Sequence, residues 1–160
     1  MDLTAIPLTL PAEGNLIVGQ AHFIKTAEDL AEIIAVIPGA RFGVAFCEAS
    51  GPCLIRTEGN DPELVALAAS NAERVGAGHT FYIMLRGIFP ITILNAVKAC
   101  PEVCSIFCAT GNPVEVVVAE SDAGRGIVGV IDGSKPRGVE DEAHREQRHE
   151  FLRTIGYKRR

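Results

Sequence analysis

The sequence lacks the features that mark several large classes of protein. It has no apolar run of about eighteen residues, the length that a membrane-spanning helix needs. The segment Met1–Thr4 has neither the basic region nor the apolar core of a signal peptide. Its 15 basic residues are outnumbered by 20 acidic ones, and the closing Lys158–Arg160 is too short to form a cationic stripe. We therefore expect a cytoplasmic protein that binds neither membranes nor nucleic acids.

The five cysteines fit neither a disulfide framework nor a zinc knuckle. Cys100, Cys104 and Cys108 recur every four residues, which would suit a metal site on a helix. However, Pro101 breaks any helix that would align the first two of them. We therefore expect these thiols to be small buried apolar groups in a reducing compartment, and we predict no metal ligands.

The well-marked catalytic motifs are also missing: there is no P-loop, nucleophile elbow or zincin pattern. The segment Gly124–Gly129 does satisfy G-x-G-x-x-G. A dinucleotide fingerprint must open a helix, so that backbone N–H groups and the helix dipole meet the pyrophosphate. Strand and turn residues follow here instead, so the glycines are better explained by close packing or twist in a hairpin strand.

The composition that remains is that of one globular domain. The chain has 160 residues, of which 48% are apolar and 22% charged. Helical and strand patterns interleave, but several strand pairs follow one another directly. This order predicts an α/β domain over residues 1–160, with a mixed sheet and helices on its faces. A polar helix and tail at about 140–160 form its only appendage.

Periodicity and turn signals give the expected elements. Strands are expected at 16–24, 42–47, 53–56, 79–85, 103–108, 114–119 and 126–131. Helices are expected after a capping-box variant at Thr26–Asp29, from Pro62 to a glycine stop at Gly76, from Pro90 to Lys98, and at about 140–154.

His22 stands near the end of the first expected strand, three residues before Lys25 and four before Thr26. Ligands in open α/β sheets collect beyond the carboxyl ends of strands, and helix N-termini attract anions. An imidazole there could act as a base, or as a nucleophile toward a phosphoryl group. The same spacing also suits a core histidine bonded to backbone, and both interpretations stay open.

His79 follows Gly76–Gly78, where no bulky side chain keeps a ligand from the backbone. The alternative is an ordinary helix end that leads into a strand. His144 and His149 lie on a helix filled with charged and amide side chains, so we expect them on its solvated face.

Three polar turns could complete a pocket. Glu48 and Ser50 follow a buried strand, and the carboxylate could bind a sugar hydroxyl or a metal. Thr110 and Asn112 offer hydroxyl and amide groups to a purine edge or ribose. Asp132 follows an apolar strand and could hold a magnesium ion. Each of these residue types is equally at home in a plain turn.

Nine segments read together resemble, in order, the family called adenosine-specific kinases. They are Gly19–Thr26, Phe42–Gly51, Gly59–Asp61, Ala77–His79, Leu94–Ala96, Ala109–Pro113, Gly124–Gly126, Val130–Gly133 and Leu152–Lys158. The resemblance covers nearly the whole chain after about residue 14.

The resemblance implies a three-layer α/β/α fold assembled as a trimer or a hexamer, with a site between subunits. It implies binding of adenosine, AMP or ADP and a histidine that carries a phosphoryl group, matched by His22 and His79. It adds Gln20, Asn60 and Asn95 to the candidate substrate-binding residues, with Thr26 among them. The phosphate donor would be ATP or another compound, a magnesium requirement stays open, and no bound cofactor is expected.

The leading hypothesis is therefore phosphoryl transfer involving adenosine or an adenine nucleotide, through or beside a phosphohistidine. His22 ranks slightly first as the acceptor, because a strand end that feeds a helix N-terminus suits a phosphate. Lys25 would neutralise phosphoryl oxygens, and Glu48 or Asp132 would hold ribose or magnesium. The alternatives are a nucleotide-binding sensor without turnover, and a purely structural trimer.

Overall fold

Eight strands and four helices make up the computed structural model, which describes residues 2–160. In chain order they are β1 (Asp2–Pro7), β2 (Asn15–Ala21), α1 (Thr26–Ala35), β3 (Arg41–Cys47), β4 (Ile55–Gly59), α2 (Pro62–Val75), β5 (Thr80–Arg86), α3 (Pro90–Ala99), β6 (Val103–Thr110), β7 (Val114–Ser121), β8 (Gly124–Asp132) and α4 (Glu142–Thr154). The prediction of a single mixed α/β domain is confirmed. Strand β1 was not predicted.

The strands form two sheets, and both are antiparallel. The large sheet has the order β4-β3-β5-β2-β6 and the small sheet the order β1-β7-β8. Each neighbouring pair runs in opposite directions. The prediction of one mixed sheet is therefore wrong. Strands β2 and β3, joined through α1, do run the same way, but β5 inserts between them and separates them.

Alternate residues of the large sheet enter two separate hydrophobic clusters. Leu16 and Val18 of β2 pack in the cluster that holds α2 and the small sheet, whereas Ile17 packs in the cluster that holds α1 and α3. Successive side chains of a strand point to opposite faces, so both faces of this sheet are covered. This double burial explains why β2 and β5 read as continuous apolar runs.

Helix α2 begins and ends as its sequence predicts. The carboxylate of Asp61 accepts hydrogen bonds from the backbone N–H groups of Glu63 and Leu64, and Pro62 takes the first helical position. Gly76 ends the helix with φ of 61°, a left-handed conformation that glycine adopts without strain.

The predicted capping box of α1 is wrong. The N-cap residue is Lys25, and no side chain caps the first turn. Thr26 instead donates its hydroxyl hydrogen bond backward, to the carbonyl oxygens of His22 at 3.1 Å and Phe23 at 2.6 Å. The threonine therefore braces the loop that carries His22.

Helix α4 has no buried residue, as its polar sequence predicts. His144 and His149 are exposed on it. In the part of the chain that is described, no helix is long and apolar enough to cross a membrane.

The cysteines follow the prediction only in part. Cys100 and Cys108 are buried, but Cys104 is exposed, which corrects its expected burial. Residues Gly124–Gly129 lie within β8, so the rejection of a dinucleotide fingerprint is confirmed.

Candidate active site at one end of the large sheet

Three chain segments meet where β2 and β3 end and β5 begins. The backbone N–H of Ala21 donates to the carbonyl of His79 at 2.9 Å, and the N–H of His79 donates to the carbonyl of Cys47 at 2.8 Å. These two bonds extend the antiparallel ladder by one step beyond the strands. They bring together His22, His79 and Glu48, which follow or precede the three strand ends.

The antiparallel strands around His22 differ from the parallel strands that the sequence argument for His22 assumed. The rule that ligands collect at carboxyl ends describes parallel strands, whereas here strand ends of both polarities share one edge. His79 therefore reaches the same edge from the start of β5. In a parallel sheet, the residue before a strand would lie at the opposite edge.

A cleft of about 520 Å³ opens at this edge. Its lining residues are His22, Phe23, Ile24, Phe46, Glu48, Ser50 and His79. We call it the histidine cleft. Four residues predicted from the sequence, the two histidines with Glu48 and Ser50, thus share one surface.

His79 is held rigidly in this cleft. Its ring stacks on Phe46, with centroids 6.1 Å apart and planes inclined by 14°. Its φ of 60° and the φ of 78° at Phe23 are left-handed, a conformation that non-glycine residues adopt only at a cost. Such strain persists where surrounding structure enforces it, and it clusters at functional sites.

Glu48 is fixed by a partner that the sequence reasoning missed. The guanidinium of Arg56 on β4 donates to the Glu48 carboxylate at 2.8 Å, and the Glu48 side chain is only 14% exposed. The buried Nε of Arg56 has no partner in the described part of the chain. The available signal was an acid and a base eight residues apart across an expected hairpin.

A second residue that was not predicted, Glu102, holds the backbone of His22 in place. Its carbonyl oxygen accepts the backbone N–H of His22 at 2.9 Å, and its side chain is 3% exposed. Hydrogen bonds from the Cys100 thiol and then from Lys25 lower the pKa of this carboxyl to about 2. Burial raises the pKa of the Cys100 thiol to about 11, so the thiol stays a donor at neutral pH.

Lys25 lies outside the residues that line the histidine cleft. Its ammonium pairs with the carboxylates of Asp29 and Glu102, which raise its pKa. Ligand atoms of Asp29, Cys100 and Glu102 lie within 4.8 Å of one another, a spacing that a metal ion could use. The ammonium of Lys25 already provides the positive charge that pairs with the two carboxylates of this cluster.

Three other predicted residues are placed apart from the cleft lining. Thr26 is fully buried, and its hydroxyl is used within the chain. Gln20 is exposed on β2 beside Thr80 and Ser105. Asn95 is exposed on α3.

The remaining predicted residues lie at the opposite end of the large sheet. Thr110 pairs with Leu16 at the start of β2, its hydroxyl accepts the N–H of Asn112, and the Asn112 amide faces Asp132 at 3.5 Å. Strand β2 has seven residues, so at roughly 3.3 Å each the two ends lie about 20 Å apart. These groups and the histidine cleft cannot hold one small ligand within a single chain.

Asn60 also lies at that opposite end. Its side-chain amide bonds the backbone of Phe42 at 2.9 Å and Ala40 at 2.8 Å. The amide thus ties the loop before α2 to β3.

The fold and the cleft define a mixed α/β protein with a ligand-sized site built around two histidines. The sequence model of the family described as adenosine specific kinase matches residues 6–158. The chain belongs to this family.

A solved relative has the same fold. The crystal structure of PH1918 protein from Pyrococcus horikoshii OT3 is 42% identical in sequence, with a TM-score of 0.94 over 98% of each chain. No curated protein matches the sequence significantly.

Proposed function

We propose that this protein transfers a phosphoryl group to adenosine, or between adenine nucleotides, through a histidine of the histidine cleft. The observation that carries the proposal is the meeting of His22 and His79 with Glu48 and Ser50 on one surface. Membership in the adenosine specific kinase family supports adenosine as the substrate.

The two histidines suit different parts of such a reaction. His22 is exposed, and it precedes by four residues a helix whose first turn has no side-chain cap. A phosphoryl group on its ring would lie near the positive end of that helix. His79 is stacked and half-buried, which suits a group that orients or protonates a phosphoryl oxygen. We therefore rank His22 first as the acceptor.

Labelling with radioactive ATP, with and without adenosine, tests this mechanism. Replacement of the accepting histidine by alanine should reduce protein labelling and AMP formation to background. His144→Ala and His149→Ala are matched controls, because both histidines are exposed on α4, and they should leave labelling unchanged. The mechanism is wrong if His22→Ala and His79→Ala both label and turn over like the wild type.

A sensor or binding module without turnover is the second candidate, and one observation favours it. Within residues 2–160, no lysine or arginine lines the histidine cleft. Phosphoryl transfer normally needs cations to offset charge on the equatorial oxygens. In that case the protein would bind adenine nucleotides while the phosphate stays trapped on its histidine. Product would then never exceed one equivalent per subunit.

An assembly of subunits would bring together the histidine cleft and the predicted residues that lie at the opposite end of the sheet within a single chain. We include in the proposal the three-layer arrangement, the trimer or hexamer, and a site between subunits. Thr110, Asn112 and Asp132 of one subunit would face the histidine cleft of the next, and Asp132 could hold magnesium there. Lys25 would contribute only after exchanging one of its two carboxylate partners for phosphate.

A further inference from the structure

Unpaired positive charge is concentrated in the C-terminal part of the chain. Residues 134–160 contain eight basic and five acidic side chains, whereas residues 1–133 contain seven basic and fifteen acidic ones. Lys158–Arg160 are exposed, and none of the ion pairs among residues 2–160 involves them. We call Lys158–Arg160 the cationic tail. Such a cluster of cations on an otherwise acidic protein attracts an anionic partner.

The cationic tail begins beside an exposed apolar surface. This surface is a depression of about 560 Å³ with five exposed apolar side chains, Phe89, Ile91, Phe151, Ile155 and Tyr157. We call it the apolar depression. The backbone N–H groups of Tyr157 and Lys158 both donate to the carbonyl of Leu152, at 3.0 and 3.1 Å, which fixes the start of the tail. Thr110 also lines the depression, so the tail starts at the end of the large sheet opposite its own histidine cleft.

The histidine cleft has an exposed apolar rim of its own. Phe23 and Ile24 line the cleft. Leu54 lies beside it, since its carbonyl accepts the backbone N–H of Glu48 at 3.1 Å. The side chains of Phe23, Ile24 and Leu54 are between 43% and 58% exposed, and we call them the apolar rim. Exposed apolar patches of this kind mark surfaces that contact other molecules.

Unpaired carboxylates lie beside the apolar rim. Glu28 and Glu58 line a depression of about 410 Å³ that shares Ile24 with the histidine cleft. Neither carboxylate takes part in an ion pair in the described part of the chain. Arg56 also lines this depression, but it is paired with Glu48. One end of the large sheet is therefore apolar and acidic, and the other is apolar and basic.

A second copy of this chain fits both ends. In a head-to-tail contact, the apolar depression and cationic tail of one copy meet the apolar rim and the carboxylates of the next. Opposite charges around matching patches fix the orientation of such a contact. The same contact repeats from copy to copy and closes into a ring where the rotation permits. A ring would bury both apolar surfaces in every copy.

We propose that the cationic tail of one copy reaches the histidine cleft of the next and supplies the positive charge that this cleft lacks. The inference rests on the proposed function, because the charge to be offset is that of a phosphoryl group on His22 or His79. Within residues 2–160, no lysine or arginine lines the cleft, and phosphoryl transfer depends on cations beside the oxygens. Before the phosphoryl group arrives, Glu28 and Glu58 hold the tail at the rim.

Light scattering tests the head-to-tail contact independently of catalysis. Leu54→Glu places a negative charge on the apolar rim, and Leu3→Glu places the same charge on β1, where the leucine is 67% exposed. We expect Leu54→Glu to lower the mass toward the 17.0 kDa of one chain and Leu3→Glu to keep the wild-type mass. Equal masses for the two variants, or a wild type of one chain, overturn the contact.

Labelling with radioactive ATP tests the role of the cationic tail. The combined substitution Lys158→Gln, Arg159→Gln and Arg160→Gln removes its three charges. We expect this tail variant to label its histidine at least about tenfold more slowly, because stabilisation of developing charge is a large part of such a reaction. Higher salt should slow the wild type and leave the tail variant nearly unchanged, since salt screens exposed charges.

The matched control removes three other positive charges, by Lys98→Gln, Lys135→Gln and Arg137→Gln. All three side chains are exposed, and none takes part in an ion pair among the residues described. The net charge changes by the same amount, so this control should label like the wild type. If the tail variant labels as fast as the control, the tail does not serve the cleft.

Mixed assemblies test whether the tail acts between copies. Tail-variant subunits, which keep both histidines, are co-expressed with subunits that carry His22→Ala and His79→Ala and keep the tail. In a one-to-one mixture, about half of the intact clefts should label at the wild-type rate, because half of their neighbours carry the tail. A tail that served only its own cleft would give no recovery, and that result overturns the proposal.

This inference and the proposed function fail in different ways. If the wild-type protein forms no phosphohistidine, the proposed function fails and the role of the tail fails with it, while light scattering still decides the head-to-tail contact. If the wild type forms phosphohistidine and the tail variant forms it equally fast, only the role of the tail is wrong.

Discussion

At the scale of single residues, the best-defined contact of the histidine cleft is the stacking of Phe46 on His79. The ring is 1% exposed and stacks on His79, whose backbone is bonded on both sides to neighbouring strands. A ring held in this way loses little conformational freedom when a ligand binds. The contact therefore preorganises one of the two histidines.

Phe46→Leu should distinguish the effect of the stacking contact on labelling from the effect of core packing on stability. The change nearly conserves volume, so we expect a stability loss of about 1 kcal/mol. Loss of the stacked pair should slow histidine labelling about fivefold, because such pairs contribute about 1 kcal/mol. Phe81→Leu is the matched control, since Phe81 is equally buried and pairs with Phe46 across the sheet. Urea unfolding and labelling rates would be measured together, and equal labelling rates would argue against preorganisation.

Glu102 should make the protein sensitive to acid. Its carboxyl pKa falls from 4.5 to about 2, with the Cys100 thiol as the first cause and Lys25 as the second. A lowered pKa stabilises the folded state above the unfolded value, and this contribution is lost as pH falls from about 4.5 toward 2.

Glu102→Gln should therefore flatten the decline in unfolding free energy between pH 4.5 and 2. Denaturant titrations at a series of pH values would measure the slope. Glu32→Gln, a change at an exposed position on α1, should keep the wild-type slope. If the Glu102→Gln slope equals the wild-type slope, the carboxyl does not carry the linkage.

At the scale of elements, α2 and α4 show how much a helix cap matters when the helix packs. Both begin with an aspartate that caps backbone N–H groups, Asp61 for α2 and Asp141 for α4. Helix α2 buries five residues, whereas α4 buries none. The same chemistry should therefore have different consequences for the whole domain.

Asp61→Ala should lower the unfolding free energy by at least about 1 kcal/mol, the usual cost of losing a cap. It also removes the partner of Arg41, with which Asp61 pairs at 2.7 Å. Asp141→Ala should reduce helical content through α4 and change global stability by less than about 0.5 kcal/mol. Circular dichroism and chemical unfolding would distinguish the two, and equal losses would contradict the independence of α4.

Close packing between α2 and β3 depends on Gly43. A Cβ there would lie 2.2 Å from the backbone carbon of Leu64, which cannot move without shifting the helix. Gly43→Ala should therefore cost about 1–3 kcal/mol, the usual penalty for overpacking. Gly129→Ala, where an added Cβ meets open space, should be nearly neutral. Thermal unfolding would test both, and a neutral Gly43→Ala would mean that the helix can shift.

At the scale of the whole molecule, exposed apolar side chains gather around the C-terminal segment. Phe151, Ile155 and Tyr157 line a depression with Phe89 and Ile91 of the α3 region, and all five are exposed. Burying them between subunits would agree with the proposed trimer.

Gel filtration with light scattering should give three or six times the chain mass of 17.0 kDa. Removal of residues 142–160 should lower that mass toward a single chain while keeping the sheet signal in circular dichroism. A wild-type species of 17.0 kDa would contradict the shared site.

Much of the local structure could be predicted because it depends on neighbours in the chain. Asp61, Pro62 and Gly76 bound α2 as expected, since caps and turns use residues within a few positions. Thr26 misled the same reasoning, because its hydroxyl bonds to the preceding loop rather than to the helix. Two histidines, Glu48 and Ser50 could be chosen as candidates from residue chemistry and position.

The partners of those candidates could not be predicted. Arg56 reaches Glu48 because β4 pairs with β3, and Glu102 reaches His22 because β6 approaches β2. Sequence distance carries no information about such pairings when β5 inserts between strands that follow one another along the chain. For the same reason Thr110, Asn112 and Asp132 looked like parts of the same pocket, yet lie at the other end of the sheet.

The sequence alone determined the domain class, the ends of α2 and the kinds of side chain that could take part in chemistry, because these follow from local periodicity and functional groups. Only the tertiary structure decided that His22 and His79 share one cleft, that Glu48 also lines a second cleft, and that Lys25 is already paired. In an antiparallel sheet, the amino ends of some strands and the carboxyl ends of their neighbours lie at the same end of the sheet. The strand order that produces this is fixed by packing between residues far apart in the chain.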